Sequence, residues 1–260
     1  MSVIPASLVP VPEPRFSPVA LFAQTCVLFG QSLPRLALLA LIAWAATNIV
    51  GFAFGVAGAY FGNRTGHYDD VARVAYFGAG TVAAIFLVLY MLAVHRYQLI
   101  GWRRDTWRLG LHWSRREGLF LLAIIVLGWP VQMAGPLFTR AATPENVDRL
   151  AALFFVALLS CLVVLARMMF VLPAIAEDRR KPIRLAWELG RRHWLTVLGF
   201  LALSGVVIFG IDSALDHFGG MVAFIGTTVM EFVSTGFLAI GICAAYRRIS
   251  PPLAKKGRPA

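Results

Sequence analysis

Residues 36–46 read LALLALIAWAA, an apolar run that contains no charged residue. Strands of a membrane β-barrel alternate between apolar and polar side chains, and this run does not. Because backbone amides in lipid must be hydrogen-bonded within the protein, the run predicts a membrane-spanning helix. Comparable stretches of about 20 residues predict six spans, at about 36–59, 74–94, 118–138, 150–175, 194–211 and 221–245.

The composition of the whole chain supports this assignment. Of the 260 residues, 59% are hydrophobic and 14% are charged, and the mean hydropathy is +0.73. Soluble domains are about 45–50% apolar and about 25% charged, so soluble enzymes, disordered regulators and disulfide scaffolds are poor interpretations. We expect a single all-α integral membrane domain over 16–248. A disordered cytoplasmic tail at 1–15 precedes it, and a basic cytoplasmic tail at 249–260 follows.

The 24 basic residues predict the orientation of the spans. Nineteen of these 24 fall on one side, in 15–35, 96–116, 179–192 and 247–258, whereas only Arg64, Arg73, Arg140 and Arg149 fall on the other. Lys and Arg collect on the cytoplasmic side of membrane proteins. The pattern therefore predicts a multi-pass protein of the bacterial cytoplasmic (inner) membrane with both termini cytoplasmic. It also accounts for the net charge of +11 without nucleic-acid binding.

Three basic connections predict amphipathic helices that lie in the membrane interface. One begins at Ser17 and Pro18, as an N-cap and first helical residue, one follows the second span, and one begins at Pro182. Each precedes an outward-going span, which suggests a threefold repeat of interfacial helix plus hairpin. The residues predicted to face lipid are Trp102, Arg104, Arg108, Trp113, Arg115, Trp187, Arg191, Arg192 and Trp194.

The stretch 166–203 reads ARMMFVLPAIAEDRRKPIRLAWELGRRHWLTVLGFLAL and carries a resemblance to a known group. An arginine precedes a proline in the fourth span, an acidic residue follows, and a basic helix with tryptophans leads into the fifth span. The residues in these places are Arg167, Pro173, Glu177, Trp187, Arg191, Arg192 and Trp194. The stretch resembles uncharacterised six-helix bacterial inner-membrane proteins related to the membrane domain of some glycerophosphodiester phosphodiesterases. The resemblance implies the six-helix architecture and no activity, because these residues include no phosphodiesterase domain.

Arg167 and Glu231 are the ionisable residues predicted to lie well inside spans. A charge at the bilayer centre costs about 2.5–3.5 kcal/mol on insertion scales, so such residues usually face a partner or water. Three interpretations stay open: an ion pair that locks the fourth and sixth helices together, a hydrated path for a substrate or proton, and an Arg167 that reaches lipid headgroups while Glu231 is protonated.

Other patterns carry weaker indications. Gly51 and Gly55 form a GxxxG pattern, which suits helix packing within the chain or pairing with a second copy or another membrane protein. Asp69 and Asp70 with His67, and Asp212 and Asp216 with His217, could bind a divalent cation, although their spacing fits no metal motif. We expect solvated loop residues there, and no cofactor.

The sequence favours a non-enzymatic protein that interacts with lipid through its basic, tryptophan-containing helices. Anionic headgroups are the expected partners, and the role would be a scaffold or envelope homeostasis. The alternative is a small-solute transporter or channel that uses Arg167 and Glu231. A lipid-modifying membrane enzyme comes third, because the chain has no GxSxG, GxxxxGK[ST] or HExxH pattern.

Overall fold

The computed structural model describes residues 16–65, 68–101, 115–141 and 147–250, and every regular element within them is an α-helix. The predicted all-α class is therefore confirmed. In chain order the helices are α1 (Pro18–Thr65), α2 (Tyr68–Ile100), α3 (Arg115–Ala141), α4 (Val147–Met168), the short α5 (Val171–Ala176), α6 (Pro182–Asp216) and α7 (Gly220–Ile249).

Five helical segments are long and apolar enough to cross a membrane. They are Pro18–Thr65, Asp69–Ile100, Arg149–Ala176, Pro182–Asp216 and Ile225–Ile249, where the third combines α4 and α5. The 27-residue α3 contains the remaining predicted span, 118–138. The helices are thus compatible with a multi-pass membrane protein.

The chain does not divide its helices where the sequence predicted. The segment that starts at Pro18 and the first span form one helix of 48 residues that continues through Pro34. Likewise, α6 runs without interruption from Pro182 through the fifth span. A proline removes only one N–H donor, and apolar helices tolerate the loss when neighbouring helices support them. The predicted start is confirmed, since the Ala20 N–H donates to Ser17 Oγ at 3.1 Å.

Helix α7 packs at the centre of the described structure. It contacts α1, α2 and α6, and its residues from Phe232 to Tyr246 supply much of the buried core. Leu36 and Leu39 from α1 lie in one apolar cluster with Phe232, and Phe120 and Phe170 lie in a second cluster with Tyr246. The core therefore lies towards one end of the bundle, where α2 and α7 end and α3 begins.

The GxxxG pattern does not serve packing within the described part of the chain. A Cβ built on Gly51 or Gly55 would meet no atom within 4 Å. The α1–α2 contact instead uses Gly58, which lies against Ala75, and Gly78, which lies against the Phe54 ring. Gly51 is partly covered and Gly55 is exposed, so the described residues show no close helix contact at either glycine. Pairing between copies stays a prediction.

Candidate functional site

Ion pairs join the helix ends on the side of the bundle where α2 stops and α3 starts, which we call the basic end. Arg96 of α2 lies 3.4 Å from Glu117 of α3, whose carboxylate is almost fully buried. The neighbouring Arg116 pairs with Asp178, in the connection between α5 and α6. Two consecutive residues of α3 therefore bind two different parts of the chain.

Glu177 extends this network to α7. Its carboxylate accepts hydrogen bonds from Arg179 at 3.0 Å and from the Tyr246 hydroxyl at 3.2 Å. Burial lowers the pKa of Arg179, but the hydrogen bond to Glu177 and the interactions with Tyr246 and the Glu177 charge together outweigh burial and raise this pKa above its usual value. The guanidinium of Arg247 also donates to the Leu99 carbonyl at 3.2 Å. The ends of α2, α3, α5 and α7 are thus held together by polar contacts.

The start of α1 packs against the same end. The Thr196 hydroxyl donates to the Phe16 carbonyl at 3.1 Å. The Phe16 ring meets the His193 ring edge-on, with centroids 5.3 Å apart, and Arg248 lies over its face at 5.6 Å. The first turns of α1 are therefore attached to α6 and α7 rather than separate from the bundle.

Arg167, near the end of α4, is placed between two tryptophans. The centre of its guanidinium lies 5.4 Å from the Trp187 ring and 5.8 Å from the Trp194 ring. These tryptophans are seven residues apart on α6, so they project from one face of that helix. In the described part of the chain Arg167 has no acidic partner, and its Nε is buried without a hydrogen-bond acceptor. The site is a cation on an aromatic surface that lacks an anion.

Gly190 sets how closely α6 approaches this arginine. A Cβ at position 190 would overlap the Arg167 carbonyl oxygen, and it would come within 2.8 Å of the Arg167 Cα. Only a glycine permits this backbone contact. Gly190 lies between Trp187 and Trp194 on the same face of α6, so the helix crossing itself positions both rings against the guanidinium.

Comparisons with known proteins do not assign the chain to a family. No protein-family model, curated protein or solved structure matches the chain. The resemblance of 166–203 to the six-helix bacterial group therefore stays a prediction. The structure does bring together three of the residues on which that resemblance rests, namely Arg167, Trp187 and Trp194.

Glu231 has different surroundings from Arg167. Its residue is exposed on α7, and its backbone carbonyl accepts a hydrogen bond from the Ser234 hydroxyl at 3.1 Å. Across the described residues no ion pair joins Arg167 to Glu231. The ion pair was one of three interpretations of these two residues, and in the structure tryptophans lie against the arginine.

The other predicted lipid-facing residues divide into two groups. Arg115, at the start of α3, and Arg191 and Arg192, on α6, are exposed. The remaining members, Trp102, Arg104, Arg108 and Trp113, lie outside the described residues. Sequence reasoning missed the acidic partners Glu117 and Asp178, and it named Glu177 only as part of the resemblance. Their only signal was position, since each lies within two residues of an arginine in a basic connection.

The acidic and histidine clusters do not form a metal site in the part of the chain that the structure describes. No three His, Cys, Asp or Glu side chains there are close enough together to hold an ion. Asp212 and Asp216 lie on one face of the last turns of α6, and His217 bonds the Ser213 carbonyl through Nδ1 at 3.0 Å. His67 lies outside the described residues.

Proposed function

We propose that this chain is a non-enzymatic, multi-pass protein of the bacterial cytoplasmic membrane that binds anionic lipid at its basic end. The distribution of Lys and Arg supports an orientation with this end and both termini in the cytoplasm. The first turns of α1 and α6 then lie at the inner surface, where the leaflet carries anionic headgroups. A scaffolding or envelope-homeostasis role follows from such binding.

The observation that carries the proposal is the Arg167 guanidinium over Trp187 and Trp194 without an acceptor. Contact with an aromatic face contributes about 0.5–2 kcal/mol, but it does not satisfy the N–H donors of the guanidinium. A phosphate group satisfies these donors, because its oxygens accept two parallel N–H bonds from arginine. Its negative charge also balances the cation.

The surface around this site favours the same ligand. Arg191 and Arg192 are exposed on α6, one turn from Gly190 or less. A basic residue near an anionic leaflet contributes on the order of 1 kcal/mol to membrane binding. Tryptophan is also enriched at the headgroup level of membranes. The basic end thus combines a specific cation with a general electrostatic attraction.

The transporter alternative has no specific observation in its favour. It requires Arg167 and Glu231 to line a common path, and the two residues have separate surroundings. We therefore retain it only as an outcome that solute-flux measurements would reveal.

Native mass spectrometry of the protein released from nanodiscs tests the proposal. The nanodiscs contain equal amounts of phosphatidylglycerol and phosphatidylcholine, and the wild type should retain phosphatidylglycerol preferentially. Arg167→Gln should reduce that preference by about fivefold, corresponding to roughly 1 kcal/mol for one cation, and Arg167→Lys should reduce it less. The matched control is Arg64→Gln, because Arg64 is an exposed arginine at the other end of α1. Equal retention of both lipids by the wild type would refute the proposal.

A further inference from the structure

An apolar groove follows the line where α4 and α6 meet, beside the Arg167 cluster. It is an open groove on the surface, with a volume of about 630 Å³. Val164 and Met168 form its α4 wall, and Ile183 and Trp187 form its α6 wall. Since Trp187 also contacts the guanidinium of Arg167, one indole ring separates the groove from the cation.

The walls of the groove are left uncovered by the described chain. Val164 is 50% exposed, Ile183 is 64% exposed and Trp187 is 44% exposed. Such a row of large apolar side chains is stable when it faces hydrocarbon, and a concave surface between two helices is the shape that accepts a single acyl chain. The groove therefore fits the tail of a lipid.

Basic side chains form one end of the groove. The aliphatic parts of Lys181 and Arg184 line it, and both residues are exposed at the start of α6. Arg184 pairs with Glu188 at 2.8 Å, whereas Lys181 has no acidic partner within the described residues. Long basic side chains commonly lie along apolar surface while the charged group reaches the headgroup layer. The apolar groove and the unpaired lysine are thus complementary to a lipid that has a negative headgroup.

We infer that this groove is the binding site of one anionic glycerophospholipid, with an acyl chain between α4 and α6 and its phosphate at Lys181. The inference rests on the proposed function and adds Lys181 as a second cation, because the Trp187 ring lies between the groove and Arg167. The Trp187 ring packs against the chain on one face of the site and against Arg167 on the other. A zwitterionic lipid has the same acyl chains as an anionic lipid but no net negative charge, so it binds the groove less tightly.

The test separates the two parts of the site. Val164→Phe with Ile183→Phe fills the groove, and both positions are exposed, so the folded core is unaffected. Lys181→Gln removes the cation and leaves the groove open. Val206→Phe is the matched control, because Val206 is 71% exposed on α6 and lies outside the groove. Each full-length variant is released from mixed phosphatidylglycerol and phosphatidylcholine nanodiscs for native mass spectrometry, and circular dichroism confirms its helix content.

We expect Lys181→Gln to lower the preference for phosphatidylglycerol by about fivefold, the equivalent of roughly 1 kcal/mol, while the retention of phosphatidylcholine is unchanged. The groove-filling variant should lose one tightly retained lipid of either kind, and Val206→Phe should match the wild type. If the wild type retains anionic lipid and the groove variants retain it equally, the site assignment is overturned and the proposed function survives. If the wild type shows no anionic preference, the proposed function fails.

A second measurement locates the chain directly. Phosphatidylglycerol with brominated acyl chains quenches tryptophans in contact with them, and the difference between wild type and Trp187→Phe isolates the signal from Trp187. The site predicts strong quenching of Trp187 that the groove-filling variant reduces. Unchanged quenching of Trp187 in that variant would contradict a chain bound between α4 and α6.

Discussion

The two ends of the helix bundle are built in opposite ways. At the basic end, Glu117 and Glu177 are bonded across helices, and the aromatic rings of Phe170 and Tyr246 are fully buried. At the other end, where α1 leads to α2 and α6 leads to α7, large apolar side chains face outwards. Phe52, Tyr76, Phe77, Phe209 and Phe218 are all more than two-thirds exposed.

This difference indicates where the chain itself fixes geometry and where the surrounding hydrocarbon does so. Exposed phenylalanines are unfavourable in water but cost nothing against lipid tails. The polar contacts at the basic end are specific in direction and distance, so they fix how the helix ends lie around Arg167. The candidate site therefore lies at the end that is held by direct polar contacts, and equivalent substitutions should have unequal effects at the two ends.

Gly190→Ala should produce the largest effect. The new Cβ would meet the backbone of Arg167, which cannot rotate away as a side chain would, so the cost should exceed the ~1–3 kcal/mol typical of overpacking. Gly210→Ala is the matched control on the same helix, since a Cβ there meets nothing within 4 Å. Unfolding in mixed micelles with increasing SDS measures both. Equal stability of the two variants would contradict the close α4–α6 crossing.

Glu117→Gln should come next, with a loss of about 3 kcal/mol. It removes the negative partner of a buried ion pair and leaves Arg96 without charge compensation. The loss falls at the low end of the range for such pairs because Arg96 keeps some hydration. Asp212→Asn, at the other end of α6, provides the comparison and should change the stability little. The same SDS titration applies, and a loss below about 1 kcal/mol for Glu117→Gln would show that the pair is not structural.

Tyr246→Phe should cost about 1 kcal/mol, the usual net contribution of one hydrogen bond, because Glu177 keeps its bond to Arg179. Tyr76→Phe removes a hydroxyl from a residue that is 84% exposed at the other end and should have no measurable effect. Thermal unfolding of the two variants in the same detergent compares them. A larger loss for Tyr76→Phe than for Tyr246→Phe would reverse the contrast between the ends.

Features that depend on local composition could be predicted from the sequence. Helical class, the N-cap at Ser17 and five of the six apolar segments follow from local composition and are confirmed. Continuity through Pro34 was missed, because the segment that begins at Ser17 was predicted to lie in the membrane interface, separate from the first span. Local patterns describe which side chains prefer lipid, but they do not state where a helix ends inside a membrane.

The partners of the charged residues were the least predictable part of the site. An ion pair with Glu231 was one of three interpretations of Arg167, and in the structure the close approach at Gly190 brings Trp187 and Trp194 to it instead. In the sequence, Trp187 lies three residues before Gly190 and Trp194 lies four residues after it. This spacing is the signal that could have indicated the contact. The pairs of Glu117 and Asp178 join residues far apart in the chain, so no local pattern encodes them.

The smallest effect is expected on the uncovered face of α1. Gly55→Ala adds a methyl group where nothing lies within 4 Å, so it should raise the stability of the monomer by about 0.5 kcal/mol through reduced backbone entropy of the unfolded chain. Cross-linking in nanodiscs then reports whether two copies meet there, since a methyl group would keep paired helices apart. A marked loss of stability in the monomer would show that α1 is covered by another part of this chain, and the described packing of that end would be wrong.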